Sequence, residues 1–231
     1  MDGTIANPSE IAVRAMDVGV RQQEYQPITL ETNRGIVACR YFGVRDSRSA
    51  AIWVGGVGGG WDTPARGLYP DLCRQLMDDG ISSLRIRFRH PSNLKESTLD
   101  VLAGIDFLGS QHLDTLALVG HSFGGAVVIQ AAAAEPVVRT VVTLATQSYG
   151  ADVVSRFPPE TSILLIHGTD DRVLSPENSE YVYRLAREPK RLILYPGAGH
   201  SLDKVAKEVH QVVRDWIISQ LNDAEGSAGS R

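Results

Sequence analysis

Residues 116–134 read LALVGHSFGGAVVIQAAAA. Leu116–Val119 is a short continuous apolar run of the kind a strand covered on both faces carries, and Ala126–Ala134 is apolar over helical length. Between them, Gly120-His121-Ser122-Phe123-Gly124-Gly125 sets a serine on a sharp strand-to-helix turn. Glycine two residues before and two after it is a steric demand, because side chains there would collide with the neighbouring strand and helix. The turn lifts the serine Oγ above the sheet edge, and the helix start points free N–H groups and a positive dipole end at it. The Gly-x-Ser-x-Gly pattern alone is modest evidence: with 22 glycines and 18 serines in 231 residues, chance yields it about 0.16 times per chain, so the strand and helix around it carry the reading. The plainer alternative is an ordinary βα turn with Ser122 as an N-cap.

Outward from this turn, strand-like and helix-like segments alternate. Gln26–Thr32 and Ile36–Phe42 flank Asn33-Arg34-Gly35, a hairpin signal, because Asn and Gly accept positive φ. Ala51–Val54 leads into a glycine cluster, and Gly67–Asp79 places Leu68, Leu72 and Leu76 at helical spacing before Gly80. A strand at Ile81–Phe88, a helix from about Ser97 and the serine unit follow. The remaining segments are strands at Val138–Leu144, Ile163–Ile166 and Leu192–Tyr195, a helix from about Glu177 to Ala186 and a last helix from about Asp203 to Leu221. A leading hairpin followed by repeated βα units predicts an α/β domain: a mostly parallel central sheet opening with an antiparallel hairpin, helices on both faces. Ligands in such sheets sit beyond the carboxyl ends of the strands. The expected organisation is an arm or short docked helix over 1–24, with a weak amphipathic stretch from Ile11 to Val20, a domain over 25–222, and a disordered tail over 223–231.

Composition narrows the function. A net charge of −4, from 23 basic and 27 acidic residues, excludes a basic nucleic-acid footprint. No apolar run approaches the roughly 18–20 residues of a membrane span, and the first seventeen residues carry acids where a signal peptide needs a basic, then apolar, start. Cys39 and Cys73 permit at most one bridge, and no Cys/His cluster suggests a zinc site. The expectation is a single cytoplasmic globular domain with no metal and no organic cofactor. The glycine cluster Gly55-Gly-Val-Gly-Gly-Gly60 fails as a dinucleotide fingerprint, since the third required glycine falls on Trp61 or Thr63, and no Gly-Lys-Ser/Thr follows. Arg85 and Arg87, on an otherwise apolar strand, read as a partly exposed face.

A serine hydroxyl needs a base that is uncharged near pH 7, which points to histidine. His121 lies inside the turn, His112 at the wrong end of its strand, and His210 on the face of the last helix. His167 reaches the site only by replacing the acid. His90 lies at the correct edge. His200, in Tyr195-Pro-Gly-Ala-Gly-His200, follows the last strand in a glycine-containing loop and has the best position. An anion must hold its tautomer, and Asp170 and Asp171 both follow the penultimate strand but cannot both point to one place.

On these residues the chain resembles the α/β-hydrolase family over about 26–221. The resemblance implies Asp171 as the acid, because the family pattern His-Gly-x-x-Asp falls on His167-Gly168-Thr169-Asp170-Asp171. Ser122, Asp171 and His200 then stand in the family's chain order. It also implies an oxyanion site made by the Phe123 N–H and a donor from the loop after the Ala51–Val54 strand. The family's paired position falls on Gly55-Gly56, giving Val57 N–H, with Gly58 as the alternative because the frequent histidine of that pair is missing here. Trp61, Gln147 and Tyr149 fall at the site edge and either line a substrate pocket or pack beneath a loop.

Only about fifteen residues separate the strands ending near Thr146 and starting near Ser162, too few for the helical cap many relatives insert there. The expected protein is a small capless serine hydrolase, similar to carboxylesterases, acyl-protein thioesterases and dienelactone hydrolases, acting on small or protruding acyl esters or thioesters through an acyl-enzyme. The cysteine nucleophile usual in the last group is serine in this chain. The partner is thus a small-molecule substrate, with neither nucleic acid nor a membrane span; the oligomeric state is not encoded legibly. Two alternatives stay open at this level: amide or peptide cleavage on the same three residues, and a catalytically silent fold used for binding.

Overall fold

The β-branched and apolar runs find partners in a nine-stranded sheet in the computed structural model, which describes residues 7–228. After a 3₁₀ turn at Pro8–Glu10 come β1 (Val13–Val18), β2 (Gln26–Thr32), β3 (Gly35–Phe42), β4 (Ser49–Val54), α1 (Leu68–Asp78), β5 (Ser82–Arg87) and α2 (Leu94–Ser110). Then follow β6 (Thr115–His121), α3 (Phe123–Ala134), β7 (Val138–Leu144), β8 (Ser162–Gly168), α4 (Glu177–Leu185), β9 (Lys190–Tyr195) and α5 (Ala206–Ala228). The order across the sheet is β1-β2-β3-β5-β4-β6-β7-β8-β9. Pairings from β1 to β5 through β2 and β3 are antiparallel, and those from β5 through β4 to β9 are parallel. This is the α/β architecture the segment pattern predicts.

Two apolar layers cover the sheet. One gathers Leu99 and Leu102 of α2, Val127 and Ile129 of α3, and Val182 of α4. The other gathers Leu68, Leu72 and Leu76 of α1 with Val209, Val213, Ile217 and Leu221 of α5. The α5 residues recur every fourth position, so one stripe faces the sheet and is fully buried, each side chain contributing roughly 1.5–3 kcal/mol. Strands β4 and β8, covered from both sides, are buried at every residue, which is why they read as unbroken apolar runs. β4 lies between β5 and β6, so the chain winds away from it in both directions. That reversal opens a crevice at the carboxyl ends of β4 and β6.

The ends differ from the sequence reading. Residues 13–18, expected within an arm or docked helix, form the edge strand β1, paired antiparallel with β2. A short apolar run is ambiguous between the two periodicities, and the open flank of β2 supplies the unpaired backbone groups that settle it. The sheet therefore starts before residue 25. At the other end α5 runs to Ala228, into the stretch read as a disordered tail; residues 1–6 and 229–231 of the expected arm and tail lie outside the described residues. Among the described residues no helix is long and apolar enough to cross a membrane.

Candidate active site

Ser122 follows β6 directly and has φ 57° and ψ −121°, a backbone conformation costing a non-glycine residue on the order of 1–3 kcal/mol. The surrounding packing imposes it. The Ser122 N–H donates to the Leu144 carbonyl at 2.8 Å, and its own carbonyl accepts from Gly125 N–H at 3.0 Å. A Cβ on residue 120 would lie 2.2 Å from the Gly124 carbonyl oxygen, and one on residue 124 would lie 2.3 Å from that of Gly55. The turn is thus wedged between its own helix and the loop after β4. Ser122 is 8% exposed, and its Oγ makes no hydrogen bond among the described residues.

His200 is delivered by the loop after β9, which is held at several points. Gly168, ending β8, packs so closely that a Cβ there would be 2.1 Å from the Ala198 carbonyl oxygen. Ala65 N–H donates to the Ser201 carbonyl at 2.7 Å. His121 Nε2–H donates to the His200 carbonyl at 3.0 Å, and the two imidazole rings stand 4.8 Å apart between centroids. Burial outweighs the opposing hydrogen bond to the His200 carbonyl and pushes the His121 pKa down to about 4, so this ring is neutral at pH 7 and acts as a strut.

Of the two candidate acids, the fold brings Asp171 and not Asp170 to His200. Asp171 is buried, and its Oδ2 accepts from His200 Nδ1–H at 2.7 Å. Its Oδ1 accepts the backbone N–H groups of Val173 at 2.8 Å and Leu174 at 2.9 Å. Burial works to raise this carboxyl, but the hydrogen bonds from His200, Leu174 and Val173 outweigh it and hold its pKa below the usual carboxylate range. With Nδ1 donating, the Nε2 of neutral His200 is left as an acceptor. Asp170 is exposed, and among the described residues its side chain bonds only its neighbour Thr169.

One participant was not anticipated in this role. His167 is fully buried. Its Nε2–H is shared between Asp171 Oδ2 and the Leu174 carbonyl, both at 3.0 Å, and its Nδ1 accepts from Ser179 Oγ–H at 2.6 Å. It braces Asp171 from behind without replacing it. A histidine closing an apolar strand four residues before an aspartate was the available signal.

The loop after β4 crosses the turn at Ser122, and a Cβ on Gly56 would sit 3.4 Å from Ser122 Cβ. The N–H groups of Phe123, Val57 and Gly58 have no acceptor among the described residues. Gln147 N–H reaches the Ser122 carbonyl at 3.5 Å, and its side chain donates to the Tyr149 carbonyl. Tyr149 and Val57 are exposed at this rim. Trp61 is drawn toward β3 and β5, its ring 4.2 Å from the Arg40 guanidinium. Arg87 is exposed as expected, whereas Arg85, expected on a partly exposed face, is buried with one donor on the Trp61 carbonyl. The sheet face it points to is covered by α1 and the residue 55–61 loop.

No protein-family model matches the chain. Structural comparison does find relatives. The esterase domain of a Rhodothermus marinus protein superposes with a TM-score of 0.71 at 21% identity, covering 86% of this chain and all of that one. A dienelactone hydrolase from Anabaena variabilis gives 0.75 at 18% identity, covering 87% of this chain and all of that one. A protein from Xanthomonas campestris described as an α/β serine hydrolase without lid gives 0.66 at 21%, over 85% and 97% of the two chains. This is the α/β-hydrolase fold. Like the last of these, this α/β-hydrolase fold has no cap domain: residues 145–161, between β7 and β8, hold only a 3₁₀ turn at Asp152–Arg156. Among curated sequences, the uncharacterized protein YfhR of Escherichia coli K12 is 33% identical over 158 residues, 64% of this chain and 54% of that protein. Its counterpart in E. coli O157:H7 is 32% identical over 163 residues. The chain spans about half the length of these curated relatives.

Proposed function

We propose that the chain is a serine hydrolase that cleaves carboxylic ester or thioester bonds of small or protruding acyl substrates. The observation that carries this reading is the 2.7 Å bond from His200 Nδ1 to the buried Asp171 carboxylate, at the same sheet edge where the turn at Ser122 presents a free hydroxyl. Nε2 of His200 takes the Ser122 proton as Oγ attacks the substrate carbonyl. Asp171 stabilises the imidazolium without taking a proton. The N–H groups of Phe123 and Val57 receive the developing oxyanion, a contribution of a few kcal/mol for each donor. The alcohol or thiol leaves with the proton from His200, and water repeats the steps on the acyl-enzyme. Every proton transfer is handled by side chains of the chain.

The open rim supports a substrate whose acyl group is short or projects from a larger body, because no cap encloses it. Cytoplasmic residence is part of the proposal. Its support is that Cys39 and Cys73 are free and lie in the two opposite apolar layers, where they cannot pair. The test is covalent. A fluorophosphonate probe should label one residue and p-nitrophenyl acetate or butyrate should turn over, both lost in Ser122→Ala. Labelling that survives that substitution would overturn the proposal.

A further inference from the structure

Arg85 on β5 is 5% exposed, and no carboxylate pairs with it among the described residues. Burial and the neighbouring Arg40 hold its pKa below the usual arginine value, and a guanidinium in such a place is costly to keep. What it holds is a loop. Its Nη2–H donates to the Trp61 carbonyl at 2.7 Å, and its guanidinium lies 5.7 Å from the centre of the Trp61 ring. Arg40, directly opposite Arg85 in the β3–β5 register, stacks 4.2 Å from the same ring and 4.8 Å from that of Tyr25.

Trp61 closes the run Gly55–Gly60, in which every residue but Val57 is glycine. Among the described residues the run has one internal backbone bond, Gly59 N–H to the Gly56 carbonyl at 3.2 Å. Such a segment is entropically free to wander, yet an oxyanion donor has to be held within about 0.5 Å of its productive place. Its near end is fixed where Tyr69 Oη–H donates to the Val54 carbonyl at 2.9 Å. Its far end is fixed by Arg85. The sheet connects both ends to the nucleophile: Arg85 is beside Trp53 on β4, and Val54 is beside Gly120 on β6.

We propose that Arg85 is a positioning residue for the Val57 oxyanion donor, with Arg40 bracing Trp61 from β3. The inference rests on the serine-hydrolase reading above and adds to it what keeps a glycine loop in register. Arginine suits the position because one guanidinium N–H bonds the carbonyl while the charge stays within cation–π range of the indole, a combination an ammonium on a lysine stem reproduces less well.

The experiment compares Arg85→Met and Arg85→Lys with the unaltered chain on p-nitrophenyl acetate. A short alkyl trifluoromethyl ketone serves as the tetrahedral mimic, and the matching methyl ketone as the ground-state mimic. In Arg85→Met, kcat and kcat/KM should fall together on the order of 10²-fold. The trifluoromethyl ketone should weaken by a similar factor, while KM and methyl-ketone binding stay within about twofold. Arg85→Lys should recover part of the loss. Unchanged kcat, or a loss matched by a smaller folded fraction with trifluoromethyl-ketone affinity intact, overturns the proposal. If Arg85→Met does not fold, Arg85→Lys and Arg40→Met decide by the same paired losses. Ser122→Ala is run alongside: if it retains turnover, the hydrolase reading and the clamp both fall. If it is inert and Arg85→Met is unimpaired, only the clamp falls.

Discussion

His167 donates its Nε2–H to the Oδ2 of Asp171 at 3.0 Å, the same oxygen that receives His200 Nδ1–H. One carboxylate oxygen thus binds two imidazoles, one at the site and one behind it. The Asp171 oxygen and the Leu174 carbonyl, both acceptors only, put the proton of the rear ring on Nε2, and its Nδ1 accepts from Ser179 Oγ–H.

Replacing His167 by Phe leaves the Ser179 hydroxyl without its acceptor and Asp171 with one donor fewer. Stability should drop by about 1–3 kcal/mol, and hydrolysis by more than the folded fraction accounts for. Thermal unfolding and kcat on p-nitrophenyl butyrate check this together, and a variant with unchanged kcat would contradict the coupling.

The two neighbouring acids should behave oppositely. Asp171→Asn should lower kcat by about 10⁴-fold, by removing the anion and favouring the wrong tautomer of His200. Asp170→Asn should leave it within about twofold, since an exposed side chain away from the imidazole has little to contribute. A steady-state assay of both variants is sufficient.

His121 makes stability depend on pH with a definite sign. Its folded pKa of about 4 lies below the unfolded value of 6.5, so between these values the unfolded chain binds the extra proton. Stability should therefore fall as pH drops from 6.5 to 4, by on the order of 3 kcal/mol from this residue. Denaturant unfolding of His121→Gln and the unaltered chain across that window isolates the term as a difference, in which the opposing contribution of Asp100, whose folded pKa is raised to about 6 by burial, cancels. Asp171 acts lower down. Its depressed pKa lends stability above the ordinary carboxylate range, which is lost as pH falls through the folded value.

Two glycine-to-alanine changes should separate steric from conformational cost. Gly120→Ala drives a methyl into the Gly124 carbonyl at 2.2 Å and should cost about 3 kcal/mol or more, with loss of probe labelling. Gly60→Ala meets nothing within 4 Å but keeps φ near +69°, and should cost only about 1–2 kcal/mol. Equal losses in the two variants would refute the steric account of the turn.

The turn at Ser122 was legible because each of Gly120, Gly124 and Gly125 answers to a specific obstruction, and such constraints leave residue-level marks. So were β4 and β8, whose burial on both faces writes an uninterrupted apolar run. β1 was not, because six half-apolar residues suit a helix or a strand until a partner edge is known. Adjacent identical residues do not by themselves encode which way one backbone step faces, so the choice between Asp170 and Asp171 came from the family pattern and not from the two residues. Arg85 misled for a related reason: its strand pattern gives a face, while its burial depends on a loop arriving from residues 55–61.

The edge strand has a practical meaning for handling the molecule. β1 presents exposed Arg14, Met16, Asp17 and Val18, with a register break between Val13 and Ala15. Charges and an irregularity of this sort discourage one sheet from recruiting another. Shortening the protein past that strand would transfer the frontier to β2, a regular seven-residue strand with an unbroken pairing register. The trimmed product would be the more prone to self-association of the two.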